Sequence, residues 1–198
     1  MPYQAPGSKP RKPGFIPECL PGWACWPYYM DCMNTEMTWQ TNSTDSVDTE
    51  RLGEALGHHL KGGEVIELRA DLGGGKTTFT RGLARGLGSP DTVSSPTFTL
   101  SKIYKGDGGL KIHHFDFYRL NEPGVVADQL AESLNDEVVI TVVEWSDIVK
   151  NVLPKDRLQI EFRLAENDPD ERNISIRYPA EMSDLIKRLQ ADWARIEP

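Results

Sequence analysis

From residue 38 onward, apolar positions fall into alternating strand and helix periods. Thr38–Thr41 reads as a short strand, and Leu52, Leu56 and Leu60 then recur at helical spacing. Asp45 and Asp48 mark the start of that helix and Gly62-Gly63 its end. Glu64–Arg69 is a short strand-like run. Helical spacing returns at Phe79, Leu83, Ala84 and Leu87, with Gly88 as the stop. Phe98–Tyr104 and Leu110–Phe117 alternate on either side of Lys105–Gly109, which predicts a hairpin. Pro123–Leu134 reads as a helix with Val126, Leu130 and Leu134 on one face. Val138–Val143 is almost continuously β-branched, as in a strand buried on both faces. Leu158–Leu164 and Ile174–Ile176 alternate strictly around polar residues 166–170. They predict a second hairpin with one wet face, hence an antiparallel edge to the sheet. Met182, Leu185, Ile186, Leu189 and Trp193 share the face of a last helix.

Residues 1–36 follow neither period. Seven of the 14 prolines fall within the first 27 residues, with Trp23, Trp26, Tyr28 and Tyr29 among them. The expectation is a disordered extension at 1–36 followed by one folded domain at 37–198, with Met30, Met33 and Met37 as alternative start points. The competing reading is a docking arm that uses its aromatics on a partner. Cys19, Cys25 and Cys32 are odd in number and have no histidine among them, so neither a zinc site nor a disulfide framework is expected.

The full chain has 198 residues, 38% of them apolar, enough for one core. Its net charge of −8 argues against holding nucleic acid by itself, because such binding rests on Lys and Arg neutralising phosphates. A role in nucleic-acid metabolism through a partner stays open. The longest apolar run, Val138–Val143, is too short to span a bilayer, so no membrane association is expected and the chain reads as cytoplasmic.

The chemistry centres on Ala70-Asp71-Leu72-Gly73-Gly74-Gly75-Lys76-Thr77-Thr78. Strand, glycine-rich turn and helix in this order set a phosphate on a helix N-terminus. Lys76 can reach β- and γ-phosphates, and the Thr77 hydroxyl can ligate Mg²⁺. Ala70 stands where the motif wants glycine; alanine disfavours a positive φ, so loop shape or affinity could shift. A carboxylate at a strand end would take the metal from its other side. Glu144, after the better strand, is the first choice, and Asp116 is the second. Thr97 is a candidate switch threonine, and Arg119 a candidate for stabilising charge on the transferring phosphoryl group, although a surface or structural ion pair is its plainer reading. His113 and His114 point to opposite faces of a strand and carry no part of the argument. Arg81 and Arg85 read as a solvated stripe. No Asn-Lys-x-Asp run supports a GTPase, and no arginine-rich lid supports a small-molecule kinase.

Four blocks in order, Asp71–Phe79, Ser95–Leu100, His114–Leu120 and Val143-Glu144-Trp145, resemble the TsaE family, the bacterial ATPases of tRNA threonylcarbamoyladenosine biosynthesis. The similarity spans roughly residues 38–179. It implies an α/β, P-loop NTPase-like three-layer fold with a mixed sheet, parallel at its centre and antiparallel at its flanks. It also implies ATP and Mg²⁺ as cofactors and a part in modifying tRNAs that read ANN codons. The implied partner is a TsaB–TsaD complex, through which tRNA is met indirectly. The family pattern puts nucleotide on Asp71, Leu72, Gly73, Gly74, Gly75, Lys76, Thr77 and Thr78, with Thr97 and Trp145 nearby. It assigns Mg²⁺ to Thr77 and Glu144, and makes Asp116 and Lys76 the catalytic pair. A nucleotide-sensing subunit that barely hydrolyses, and a small-molecule kinase, are the alternatives.

Overall fold

The structure is a computed structural model and describes residues 36–122, 124–166 and 168–196. The expected extension, with its three cysteines, lies outside the described residues except for Glu36, which opens a strand. In chain order the elements are β1 (Glu36–Ser43), α1 (Ser46–Gly57), β2 (Val65–Arg69), α2 (Lys76–Gly86), β3 (Ser101–Lys105), β4 (Lys111–Asp116), α3 (Val126–Leu134), β5 (Val139–Glu144), β6 (Leu158–Leu164), β7 (Arg172–Pro179) and α4 (Ser183–Ile196).

The strands form one seven-stranded sheet in the order β1-β7-β6-β2-β5-β4-β3. β6, β2, β5 and β4 run parallel, while β3, β7 and β1 pair antiparallel at the flanks. This is the mixed α/β architecture expected. Apolar residues of β2, β5 and β4 serve both faces. Ile66, Leu68, Ile112, Ile140 and Val142 pack toward α1, α2 and α4. Val65, Phe115 and Val143 pack with Val126 and Leu130 of α3 on the other side. The alternating strands β6 and β7 bury Ile160, Phe162, Ile174 and Ile176 on the first face. Their Gln159, Glu161, Arg163, Asn173, Ser175 and Arg177 are half-buried or exposed on the second. Three layers therefore exist over the parallel centre and two over the β6–β7 side, where a strand pattern of period two has only one apolar face to cover.

Two element ends and one strand position differ notably from expectation. α1 is capped by the Asp45 side chain, which accepts from the Asp48 N–H at 2.8 Å, but it ends at Gly57 rather than Gly62-Gly63. His59 and Leu60 bond three residues back, tightening the chain out of the helix, and the Glu64 carboxylate takes the N–H groups of Lys61 and Gly62. Leu60 still reaches the core through that turn. β3 begins at Ser101 and not at Phe98, because Thr99 and Leu100 both donate to the Pro96 carbonyl and fold 96–100 into a turn. β6, expected toward an edge, lies inside the sheet; β1 is the outer strand on that side.

α1 and α2 meet backbone to backbone. A methyl placed on Gly82 would lie 1.8 Å from the Glu50 carbonyl, and one on Gly53 would lie 2.2 Å from the Phe79 carbonyl. Gly57 and Gly86 are equally committed, at 2.4 Å from Leu83 O and 2.2 Å from Glu54 O. Glycine is kept here for close approach and not for its φ. Arg81 and Arg85, expected as a solvated stripe, reach across this seam to Glu50 and Glu54 at 2.7–3.3 Å. Both arginines are half exposed, so the pairs add little beside the packing.

Alternation along β4 sends His113 and His114 to opposite faces, as expected. His113 stacks on Phe115 with ring centroids 4.0 Å apart. Burial, with a smaller contribution from neighbouring His114, pushes its pKa down to about 4. A folded imidazole that resists protonation loses stability as pH falls from its unfolded value toward its folded one.

Two outcomes follow from this packing. Gly82→Ala is expected to lower the unfolding free energy by about 3 kcal/mol through overpacking, outweighing the roughly 1 kcal/mol helix propensity that alanine adds, as read from urea midpoints. Between about pH 7 and about pH 5, His113 should cost about 1 kcal/mol of stability once screening at its partly exposed ring is allowed for, so His113→Gln should flatten that limb of the stability–pH curve.

Candidate nucleotide site

The parallel register brings the site together. Leu68 of β2 lies beside Glu144 of β5, and Glu144 lies beside Asp116 of β4. The loop that leaves β2 and the two acids therefore converge at the C-terminal edge of the sheet, where open α/β sheets take their ligands. There a cleft of about 240 Å³ is lined by the loop residues Leu72–Thr78 together with Ser95, Thr97, Asp116, Tyr118, Glu144 and Trp145. A groove of about 360 Å³ along Ile103, His113 and Gln129 is larger but lies away from the loop and both acids.

Gly73 and Gly75 hold φ of 79° and 105°, conformations that suit glycine, and Gly75 caps α2. Gly74 is required for space: a methyl on it would meet the Ala70 Cβ at 2.5 Å. The concern over Ala70 is answered by its backbone. Among the described residues only Leu100 and Trp145 combine a side chain with positive φ, so Ala70 needs no glycine conformation. Its methyl instead packs against the main core cluster.

Lys76 is buried, and its ammonium donates to the carbonyls of Ala70 and Asp71 at 2.9 and 3.1 Å. Burial lowers its pKa, while Glu144, Asp116 and Asp71 pull in the opposite direction. The Nζ also sits 4.6 Å from the centre of the Trp145 ring. Asp71 thus contributes its carbonyl, while Leu72–Thr78 face the cleft itself.

Asp116 is buried and fully engaged. Its Oδ2 accepts from the hydroxyls of Thr97 and Ser95, and its Oδ1 accepts from the Tyr118 N–H at 2.9 Å. Its own N–H donates to Leu100 O at 3.0 Å, fastening the 96–100 turn to the end of β4. Glu144 takes a different partner: His114 Nε2 lies 2.9 Å from its Oε1, and His114 is wholly buried. Arg119 lies outside the cleft lining and stacks on exposed Phe98 at 4.2 Å, not in the ion pair expected of it. Every loop, acid and aromatic residue expected near nucleotide is thus within one small region.

Three participants have no role that the sequence alone assigns. His114 became visible only through register, since nothing in the sequence pairs it with Glu144. Tyr118 packs against Trp145 with ring centroids 4.9 Å apart, closing one side of the cleft. Glu67 hides inside an apolar strand. It is wholly buried between Arg157 Nε at 2.7 Å and Arg69 Nη2 at 2.7 Å, and accepts the Ser146 hydroxyl. Burial pushes its carboxyl up, but hydrogen bonds from Ser146, Arg157 and Arg69 outweigh this and hold it below the ordinary carboxylate range. The cluster ties β2 to the turn after β5. In that turn Trp145 takes φ 56°, a strained choice for a bulky residue, costing about 1–2 kcal/mol.

Comparison with known proteins agrees with this geometry. The family model described as threonylcarbamoyl adenosine biosynthesis protein TsaE matches residues 43–174. The tRNA threonylcarbamoyladenosine biosynthesis protein TsaE of Bacillus subtilis is 36% identical over 136 residues, covering 69% of this chain and 83% of that protein. The Treponema pallidum protein of the same name is 37% identical over 122 residues, covering 62% and 89%. The crystal structure of Bacillus subtilis YdiB superposes with a TM-score of 0.60 at 31% identity, covering 81% of this chain and 97% of that one. A family model that matches well over half of the chain, and relatives 36–37% identical over most of their own length, make this chain a member of the TsaE family.

Proposed function

We propose that this chain binds ATP with Mg²⁺ in the Leu72–Thr78 cleft and hydrolyses it in support of N6-threonylcarbamoyladenosine formation on tRNAs reading ANN codons. The partner in this reading is a TsaB–TsaD-type complex. The observation that carries it is the convergence of Lys76, Asp116 and Glu144 on one glycine-lined cleft, in a chain whose family is named for this modification. The net charge of −8 suits a subunit that leaves tRNA binding to its partners.

The residues present fit a magnesium–nucleotide pair. Among the described residues no group of three or more His, Cys, Asp or Glu gathers into a self-sufficient metal cage. Mg²⁺ does not need one, since it is held by one or two carboxylates with phosphates and water. Glu144 and the Thr77 hydroxyl would hold it here. Bound there, Mg²⁺ would neutralise charge on the β- and γ-phosphates.

The chain's own residues do the rest. The first turn of α2 offers N–H groups without helical partners, which suit phosphate oxygens. Lys76 leaves the Ala70 and Asp71 carbonyls to meet the phosphates, and its desolvated charge acts with little screening. Trp145 and Tyr118 wall the cleft from one side. Both Asp116 oxygens already hold Thr97, Ser95 and the Tyr118 N–H. Asp116 therefore acts in this reading by holding the 95–97 loop in reach of the γ-phosphate, so that partner docking and the site are coupled through it.

Lys76→Ala is expected to weaken ADP binding by about 100-fold or more, measured by calorimetry. Unchanged binding would overturn the phosphate-loop reading. Depleting the protein in its native cell should lower threonylcarbamoyladenosine in tRNA hydrolysates; unchanged levels would overturn the pathway assignment.

A further inference from the structure

The buried histidine beside Glu144 has no place in the mechanism above. A carboxylate accepts hydrogen bonds, so at 2.9 Å the shared hydrogen sits on His114 Nε2 and points at Glu144 Oε1. His114 Nδ1 is buried and has no hydrogen-bond partner among the described residues. The ring therefore spends its polar capacity on one atom. It is held there by Tyr104, whose ring lies 6.3 Å away at 47° and whose hydroxyl donates to Ser94 O at 2.8 Å. That contact links the imidazole to the loop carrying Ser95 and Thr97. Of the two Glu144 oxygens, Oε1 is taken, and Oε2 has no hydrogen bond or ion pair among the described residues. Glu144 itself lines the cleft.

We propose that His114 is a positioning residue for Glu144: it occupies Oε1, stops the carboxylate from rotating, and leaves Oε2 as the oxygen offered to a divalent cation. The inference rests on the magnesium–nucleotide reading above. Partners behind a ligand fix its orientation, and removing one typically weakens metal affinity by about 10- to 100-fold.

The test separates metal from nucleotide. ADP affinity is measured by calorimetry with and without Mg²⁺ for the unaltered chain, His114→Phe and His114→Gln. Phenylalanine keeps the ring and loses the donor; glutamine can place an amide N–H near the position of Nε2. Mg²⁺ should tighten ADP binding to the unaltered chain. In His114→Phe that gain should shrink by about 10-fold while affinity without Mg²⁺ stays within about twofold, and His114→Gln should recover most of the gain. A full Mg²⁺ gain in His114→Phe overturns the inference while leaving the nucleotide reading intact. No ADP binding by the unaltered chain overturns that reading and the inference with it. A second measurement needs no substitution. With Mn²⁺ and ADP, the His114 Nε2–H resonance should broaden together with those of the residues lining the cleft, and a signal that ignores Mn²⁺–ADP overturns the proposal even if His114→Phe does not fold.

Discussion

Parallel pairing of β2, β5 and β4 is the constraint on which the site depends. Hydrogen bonding fixes which residues end each strand together, and here it aligns Leu68 with Glu144 and Glu144 with Asp116. A shift of one residue would turn Asp116 and Glu144 to the opposite face, away from α2 and the loop. The site is thus a consequence of register, and register is held by apolar packing on both faces. Ile66, Leu68, Ile140 and Val142 serve one face, and Val65 and Val143 the other.

Most polar groups inside this frame are tolerated because they are answered, His114 Nδ1 being an exception. Glu67 has two arginines and a serine. Asp116 has two hydroxyls and an amide. Ser133 of α3 meets Thr141 of β5 at 2.7 Å under the sheet. Burial also works against the charge of Lys76, which three acids favour. A basic group kept partly desolvated among acids is ready to exchange weak carbonyl contacts for a more strongly charged partner.

Much of this was legible along the chain, and the reasons divide cleanly. The loop and the strand ends were readable because glycine-lysine-threonine after a strand, and an acid after a β-branched run, are local signals. Both hairpins and the wet face of β6–β7 followed from period two. Contacts between distant segments left no such trace. His114–Glu144 depends on strand pairing, Glu67–Arg157 on a closure spanning 90 residues, and the glycine seam on how two helices cross. Arg81 and Arg85 looked solvated because their acidic partners sit on another helix. The end of α1 was misjudged because Leu60 continues the apolar spacing through a turn that is no longer α-helical. Ala70 drew suspicion from a motif rule, whereas φ at that position makes no demand that alanine cannot meet.

The glycine seam has a mechanical meaning. Elsewhere in a core, side chains between two elements act as spacers that can change rotamer and let one element slide by small steps. Between α1 and α2 there are no spacers at four positions, only carbonyls resting on Cα atoms. The two helices can move only as one rigid lever, and α2 begins at Lys76. Any rearrangement at this edge of the sheet would therefore fall on the 95–100 turn and the segment after Trp145 rather than between α1 and α2. The Leu72–Thr78 loop runs directly into that pair at Lys76 and shares its anchorage.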